Sequence, residues 1–211
     1  EQKDAAPDSG GHLQYTAIME EVGDRSGIHF LHEENAYDDY EQQYLLPRML
    51  SRQGPPMAVG DIDGDGLEDL YIGGAMGVPG HLYTQEGSGR LRQVSDAFEG
   101  SRSYEDVDAI FFDANNDGHL DLYVGSGGYE YYGSHEIFQD RLYVNDGGGT
   151  FALSSGLPEM HTSTGAVACG DMDNDGDQDL FVGGRLIANN YPYVPRSYLL
   201  ENNGSGLFVE V

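Results

Sequence analysis

The stretch Asp61-Ile62-Asp63-Gly64-Asp65-Gly66-Leu67-Glu68-Asp69-Leu70-Tyr71-Ile72-Gly73 decides how the rest of this chain is read. Asp stands at the first, third, fifth and ninth places of a nine-residue loop, Gly at the sixth, and a Leu-aromatic-aliphatic-Gly run follows. The pattern returns as Asp113-Ala114-Asn115-Asn116-Asp117-Gly118-His119-Leu120-Asp121. It returns again as Asp171-Met172-Asp173-Asn174-Asp175-Gly176-Asp177-Gln178-Asp179, the two spacings being 52 and 58 residues. Small or apolar runs precede the loops (57–59, 110–112, 167–169), and 70–73, 122–125 and 180–183 follow them. Short branched and aromatic runs bounded by Asp/Gly turns read as strands.

A second element repeats downstream at Leu82-Tyr83-Thr84-Gln85, Leu142-Tyr143-Val144-Asn145 and Leu199-Leu200-Glu201-Asn202. Each leads through a Gly-containing tip to another short strand beginning near Leu91, Phe151 or Phe208. Asn-Asp-Gly and Asn-Gly tips are hairpin signals, because both residue types accept positive φ. Four strands per period of this length describe a propeller blade. The sequence therefore predicts an all-β chain of three four-stranded β-propeller-type blades at 57–106, 107–164 and 165–211. Closed propellers have about 4 to 8 blades, so three make an incomplete or open propeller.

Residues 1–12 are polar and Gly-rich and read as a flexible tether, with 13–56 as an N-terminal strand and acidic entry segment. Strands are expected at Leu13–Thr16 and Gly27–Leu31, and a helical turn near Tyr44–Leu50. Tyr15–Ile18 resembles the outermost-strand position of Phe208–Val211 and could complete a sheet in this chain or a neighbour. A start at Glu1 without Met fits a processed secreted chain, a lipid anchor before Glu1, or a trimmed sequence.

The 211 residues carry 37 Asp plus Glu against 10 Lys plus Arg, a formal charge of −27, which argues against nucleic-acid binding. Cys169 is alone, so neither a disulfide within the chain nor a Cys-based zinc or iron–sulfur site can form. No apolar run approaches the roughly 20 residues of a transmembrane helix. Gly at 31 and Tyr at 15 suit many tight turns joining short strands.

The acidic loops gather hard oxygen donors, the chemistry of Ca²⁺, which takes about 6–8 oxygens at roughly 2.3–2.6 Å. The first site would use Asp61, Asp63, Asp65, Asp69 and the carbonyl of Leu67. The second would use Asp113, Asn115, Asp117, Asp121 and the carbonyl of His119. The third would use Asp171, Asp173, Asp175, Asp179 and the carbonyl of Asp177. An EF-hand is excluded: its twelfth loop position needs Glu, and here it is Ile72, Val124 or Val182. Mg²⁺ fits less well, since it demands octahedral geometry and keeps several waters.

These loops and their Leu-aromatic-aliphatic-Gly flanks resemble the FG-GAP/VCBS repeats of integrin α-subunit propellers and of many secreted or surface bacterial proteins. Leu46-Pro47, Gly54-Pro55, Asp140-Arg141-Leu142-Tyr143-Val144-Asn145 and Gly183-Gly184-Arg185 through Pro195-Arg196-Ser197 resemble bacterial VCBS-repeat proteins often carried as lipoproteins. The resemblance covers roughly residues 13–211. It implies seven blades in full-length relatives, calcium in the blade loops, and extracellular adhesion or recognition.

Other constellations are weaker. The histidines at 12, 29, 32, 81, 119, 135 and 161 show no metalloprotease spacing, and no Gly-x-Ser-x-Gly elbow occurs. Cys169 reads as a buried filler. Glu33, Glu34, Asp106 and Asp108 pair as expected by chance in so acidic a chain. Tyr129-Glu130-Tyr131-Tyr132 and Tyr191-Pro192-Tyr193 either pack over blade tips or stack on sugars. Asn203-Gly204-Ser205 matches an N-glycosylation pattern. Arg141, Arg185 and Arg196 are each expected in an internal carboxylate pair.

The expectation is a non-enzymatic, calcium-stabilised module, secreted or at the cell surface, with three Ca²⁺ sites, a protein or glycan partner and self-association. The alternative is a carbohydrate-binding or polysaccharide-processing domain using the tyrosine loops.

Overall fold

The computed structural model describes residues 19–94, 98–133 and 135–211. The expected tether and the strands at Leu13–Thr16 and Tyr15–Ile18 lie outside the described residues. Blade 1 comprises β1 (Met57–Gly60), β2 (Asp69–Ile72), β3 (His81–Gln85) and β4 (Leu91–Val94). Blade 2 comprises β5 (Asp106–Phe112), β6 (Asp121–Ser126), β7 (Arg141–Asn145) and β8 (Phe151–Leu153). Blade 3 comprises β9 (Ser163–Gly170), β10 (Asp179–Leu186), β11 (Tyr198–Asn202) and β12 (Phe208–Glu210). Each is an antiparallel meander in chain order, and none pairs with another.

The registers place equivalent residues opposite one another. Val59 pairs with Leu70, Phe111 with Leu122 and Cys169 with Leu180, each flanking its acidic loop. Alternation then sends one face of every sheet toward each neighbour. Ala58, Tyr71 and Leu82 of blade 1 meet Ala109, Leu122, Val124 and Tyr143 of blade 2, with Phe98 and Phe151 edge-on or tilted beside them. Phe112, Tyr123 and Leu142 of blade 2 meet Leu180, Val182 and Leu200 of blade 3. Between the sheets the core is thus two inter-blade seams, and first strands run side by side, β1 next to β5 and β5 next to β9.

Residues 19–56 differ from expectation. No strand forms at Gly27–Leu31, and the helical turn lies at Asp39–Gln42 rather than at Tyr44–Leu50. The cause is capping. Asp38 accepts from Tyr40 N at 3.0 Å, and the buried Asp39 carboxylate accepts from the amides of Leu50 and Ser51. That carboxylate ties the segment into a loop. Leu46 and Leu50 then pack with Tyr129, Phe138 and Leu186 across the strand ends remote from the acidic loops.

Candidate metal centres

Each loop is built from Asx turns. Asp61 accepts from Gly64 N at 2.8 Å, Asp65 N at 3.1 Å and Gly66 N at 2.9 Å, and Asp65 accepts from Leu67 N at 2.8 Å. Asp113 accepts from Asp117 N and Gly118 N, and Asp117 from His119 N at 2.9 Å. Asp171 accepts from Asn174 N at 2.7 Å, Asp173 from Asp175 N and Asp175 from Asp177 N. The sixth-place glycines have φ of 85°, 87° and 100°. The fourth place is left-handed too, held by Gly64, Asn116 and Asn174. Sequence reasoning passed over that position, though Gly and Asn are its signal.

The ninth-place aspartates are the buried anchors. Asp69 accepts from Ile62 N at 3.0 Å and Gln85 N at 2.8 Å, Asp121 from Ala114 N and Asn145 N, and Asp179 from Met172 N and Asn202 N. One carboxylate thus ties the loop's second residue to the end of the third strand. Burial raises the pKa of Asp69 and of Asp121, while these amide bonds pull the other way and the neighbouring loop carboxylates push up again.

A further link crosses the seams. Asn145 Nδ2 donates to the carbonyls of Ile62 in loop 1 (2.8 Å) and Leu120 (3.0 Å), and Asn202 Nδ2 to Ala114 in loop 2 (2.8 Å) and Gln178 (3.1 Å). The third strands of blades 2 and 3 thus each clamp the preceding blade's loop. By itself the repeated Asn reads as a hairpin residue, and only the neighbouring sheet reveals this use.

The donor chemistry fits a hard cation in the first and third loops. Carboxylate oxygens of Asp61, Asp63 and Asp69 lie within 4.8 Å of one another, as do those of Asp171, Asp173 and Asp179, and of Asp173, Asp175 and Asp177. Asp177 was expected to offer only its carbonyl. Its side chain joins the cluster, buried, with Oδ1 unpartnered, and its pKa is pushed up to about 6 by the hydrogen bond it shares with Asp175, by burial and by like charges. In the second loop Asn115 Nδ2 donates to Asp117 at 3.0 Å, so an amide replaces the third carboxylate. Asp113, Asn115, Asp117 and Asp121 still offer oxygens there. His119 packs under the tip at Gly147, and Leu67 and His119 hold the seventh place.

Two expectations away from the loops need correction. Cys169 is exposed, as is Val59 at the same register in blade 1, so this place beside the acidic loop is not a core position. Arg141 forms a buried pair with Asp106 at 2.5 Å and Arg196 pairs with Glu210, but Arg185 has no ion pair among the described residues, because a β-bulge turns it away from the ladder. The tyrosine loops divide. Tyr129 is buried and donates to Gln43, whereas Tyr132 and Tyr193 are exposed.

No curated protein matches this chain. Among solved structures, a candidate exo-beta-1,3-galactanase from Bifidobacterium bifidum s17 is similar at 15% identity with a TM-score of 0.41. The match covers 76% of this chain and 52% of that one. The chain therefore spans about half the length of that protein. The FG-GAP-like repeat profile matches residues 61–124 and 130–182, more than half of the chain, and both matched regions contain the acidic loops and second strands described above. With repeated loop, meander and seam in agreement, this chain belongs to the FG-GAP-like repeat family.

Proposed function

We propose that this chain is a calcium-organised, propeller-type recognition and assembly module that works outside the cell and carries out no catalysis. The observation that carries this reading is the recurrence of one oxygen-rich loop, three times, at the same place in three sheets, with carboxylates converging in the first and third. Calcium would be held by Asp61, Asp63, Asp65 and Asp69, by Asp113, Asn115, Asp117 and Asp121, and by Asp171, Asp173, Asp175, Asp177 and Asp179. The cation would relieve the repulsion among these groups. Extracellular modules bind calcium at about 10⁻⁴–10⁻³ M, which suits millimolar calcium outside cells. FG-GAP repeats are typically extracellular, and no helix among the described residues is long and apolar enough to cross a membrane.

Assembly is supported by the outward face of blade 3, where Met172, Phe181 and Leu199 are exposed at positions whose counterparts in blades 1 and 2 meet a following blade. Calcium titration by calorimetry, with light scattering before and after chelation, tests both parts. Saturable calcium binding with loss of order or of oligomers on chelation is expected. Absence of calcium binding at millimolar concentrations would overturn the reading.

A second reading, glycan recognition, is favoured by one feature. Exposed Tyr44, Leu45 and Tyr191 border a cavity of about 320 Å³ with Gln42 and Gln43. An aromatic face beside amides suits a sugar. Binding to a glycan array that Y191A abolishes would select it.

A further inference from the structure

A cavity of about 640 Å³ lies at the end of blade 3 remote from its acidic loop, between β9, β10 and residues 48–53. Three of the ten cations of this acidic chain, Arg48, Arg52 and Arg185, line it together with Gln53, Gly165 and Gly183. Among the described residues, Arg25, Arg92, Arg102, Arg141 and Arg196 each lie in an ion pair. The three cavity arginines do not, although carboxylates outnumber cations almost four to one. Arg52 has only the carbonyl of Tyr37 at 3.3 Å.

The backbone is shaped for this arrangement. The ladder between β9 and β10 shifts register on either side of Gly184, so that Arg185 and Gly165 face each other outside the paired positions. Bulges re-aim side chains in this way and recur next to binding sites. A Cβ on Gly165 would come within 2.8 Å of the Arg185 Cβ, so glycine is what lets the arginine stand there. Gln53 Nε2 is buried without a partner and leaves a neutral donor at the same wall.

Like charges held together in a half-buried site oppose one another. Burial first, and then the Arg48 guanidinium, lower the pKa of Arg185. The acid that faces it, Glu105, gives little relief, because burial and the charges of Glu130 and Glu34 push its carboxyl up to about 9, which leaves it neutral near pH 7. The site keeps an uncompensated positive charge that an oxyanion would neutralise. Guanidinium forks match carboxylate and phosphate geometry, and the volume suits a small-molecule ligand.

We propose that this cavity is an anion-recognition site for a small ligand bearing carboxylate or phosphate groups, gripped by Arg48, Arg52 and Arg185. This goes beyond the calcium reading and does not depend on it. The test is calorimetric titration of the full chain, in calcium and at constant ionic strength, with glucarate, glucose 6-phosphate and uncharged sorbitol. Saturable binding of glucarate or of glucose 6-phosphate, but not of sorbitol, is expected, and which of the two binds separates a carboxylate source from a phosphate source. The R48A/R52A double variant, altered only at exposed positions, should weaken that binding about tenfold or more. R185K, which keeps the charge and stem but not the fork, should weaken it less, and R90A, remote from the cavity, should leave it unchanged. Failure of both anions to bind at about 10 mM, a regime of very weak affinity, overturns the proposal. So does binding that R48A/R52A leaves at the parent level, or sorbitol binding as tight as glucarate.

Discussion

The middle blade and the last blade were written with the same pattern and ended in different surroundings. Tyr71 of blade 1 and Tyr123 of blade 2 are fully buried in the seams, whereas Phe181, at the same place in blade 3, is 49% exposed. Ile62 and Ala114, second in their loops, are buried, and Met172 is 41% exposed. The clamps follow suit. Loops 1 and 2 receive the side-chain amides of Asn145 and Asn202, and among the described residues no side chain donates to the Met172 carbonyl. A blade in this chain is therefore only half specified by its own strands. The rest of its stability comes from the neighbour that covers it, as in any repeat array whose energy is a sum of units and interfaces.

The comparison breaks most readily at the equivalent aromatics. Y123A empties a fully buried site and removes one hydrogen bond, the one its hydroxyl donates to Asp140 at 2.6 Å, while Ser126 N and Thr164 Oγ1 still donate to that carboxylate, so it should cost about 3–5 kcal/mol in urea denaturation. F181A should cost under about 1 kcal/mol. Equal costs would mean that blade 3 is covered in solution.

The junctions before blades 2 and 3 offer the next test. Eight residues before the loop, blade 2 has Glu105, buried with neither oxygen paired, and blade 3 has Ser163, whose hydroxyl donates to the Gly128 carbonyl at 3.2 Å. A carboxyl raised to about 9 holds a proton that the unfolded chain releases near its ordinary value of 4.5. Its contribution to stability is therefore complete below that ordinary value and is lost as pH rises through about 9, at up to about 1.4 kcal/mol per pH unit. Denaturation between pH 5 and 9 should show this decline, E105Q should flatten it, and S163A should leave the slope in place.

Calcium removal sharpens the loop comparison. A site held at a hundredfold excess over its Kd stabilises by about 2.7 kcal/mol, so chelation should lower the melting temperature. Amide exchange should rise most in 171–179, which lacks a clamp, and less in 61–69 and 113–121. Equal deprotection of the three loops would dissociate the clamps from loop order. Smallest are the clamps themselves: N145A and N202A should each cost about 1–2 kcal/mol, because two carbonyls lose their donor. Gln85 holds the same place in blade 1 with no preceding loop to meet among the described residues, and Q85A should stay within about 0.5 kcal/mol.

Much of this was legible in the chain. The three loops, their flanking strands and the hairpins at Gln85, Asn145 and Asn202 are local features, set by where Asp, Asn and Gly permit left-handed turns and where alternation permits a strand. Residues 19–56 were legible only in part, because Gly27–Leu31 has strand-like composition but no partner edge, and a strand without a ladder leaves its amides unpaired. Arg185 is illegible for a related reason: a bulge depends on which backbone lies alongside.

The sequence by itself determined the repeat, the meander of each sheet and the oxygen-rich loops, since these rest on turn chemistry and period-two patterning within some fifty residues. Only the tertiary structure decided which faces are covered, that Asn145 and Asn202 reach across to a neighbour's loop, that Asp177 adds its side chain to the third cluster, and that Arg185 meets Arg48 and Arg52, far earlier in the chain, in one cavity. Those outcomes depend on the packing of sheets against one another, and packing is a property of pairs of surfaces that no single segment encodes alone.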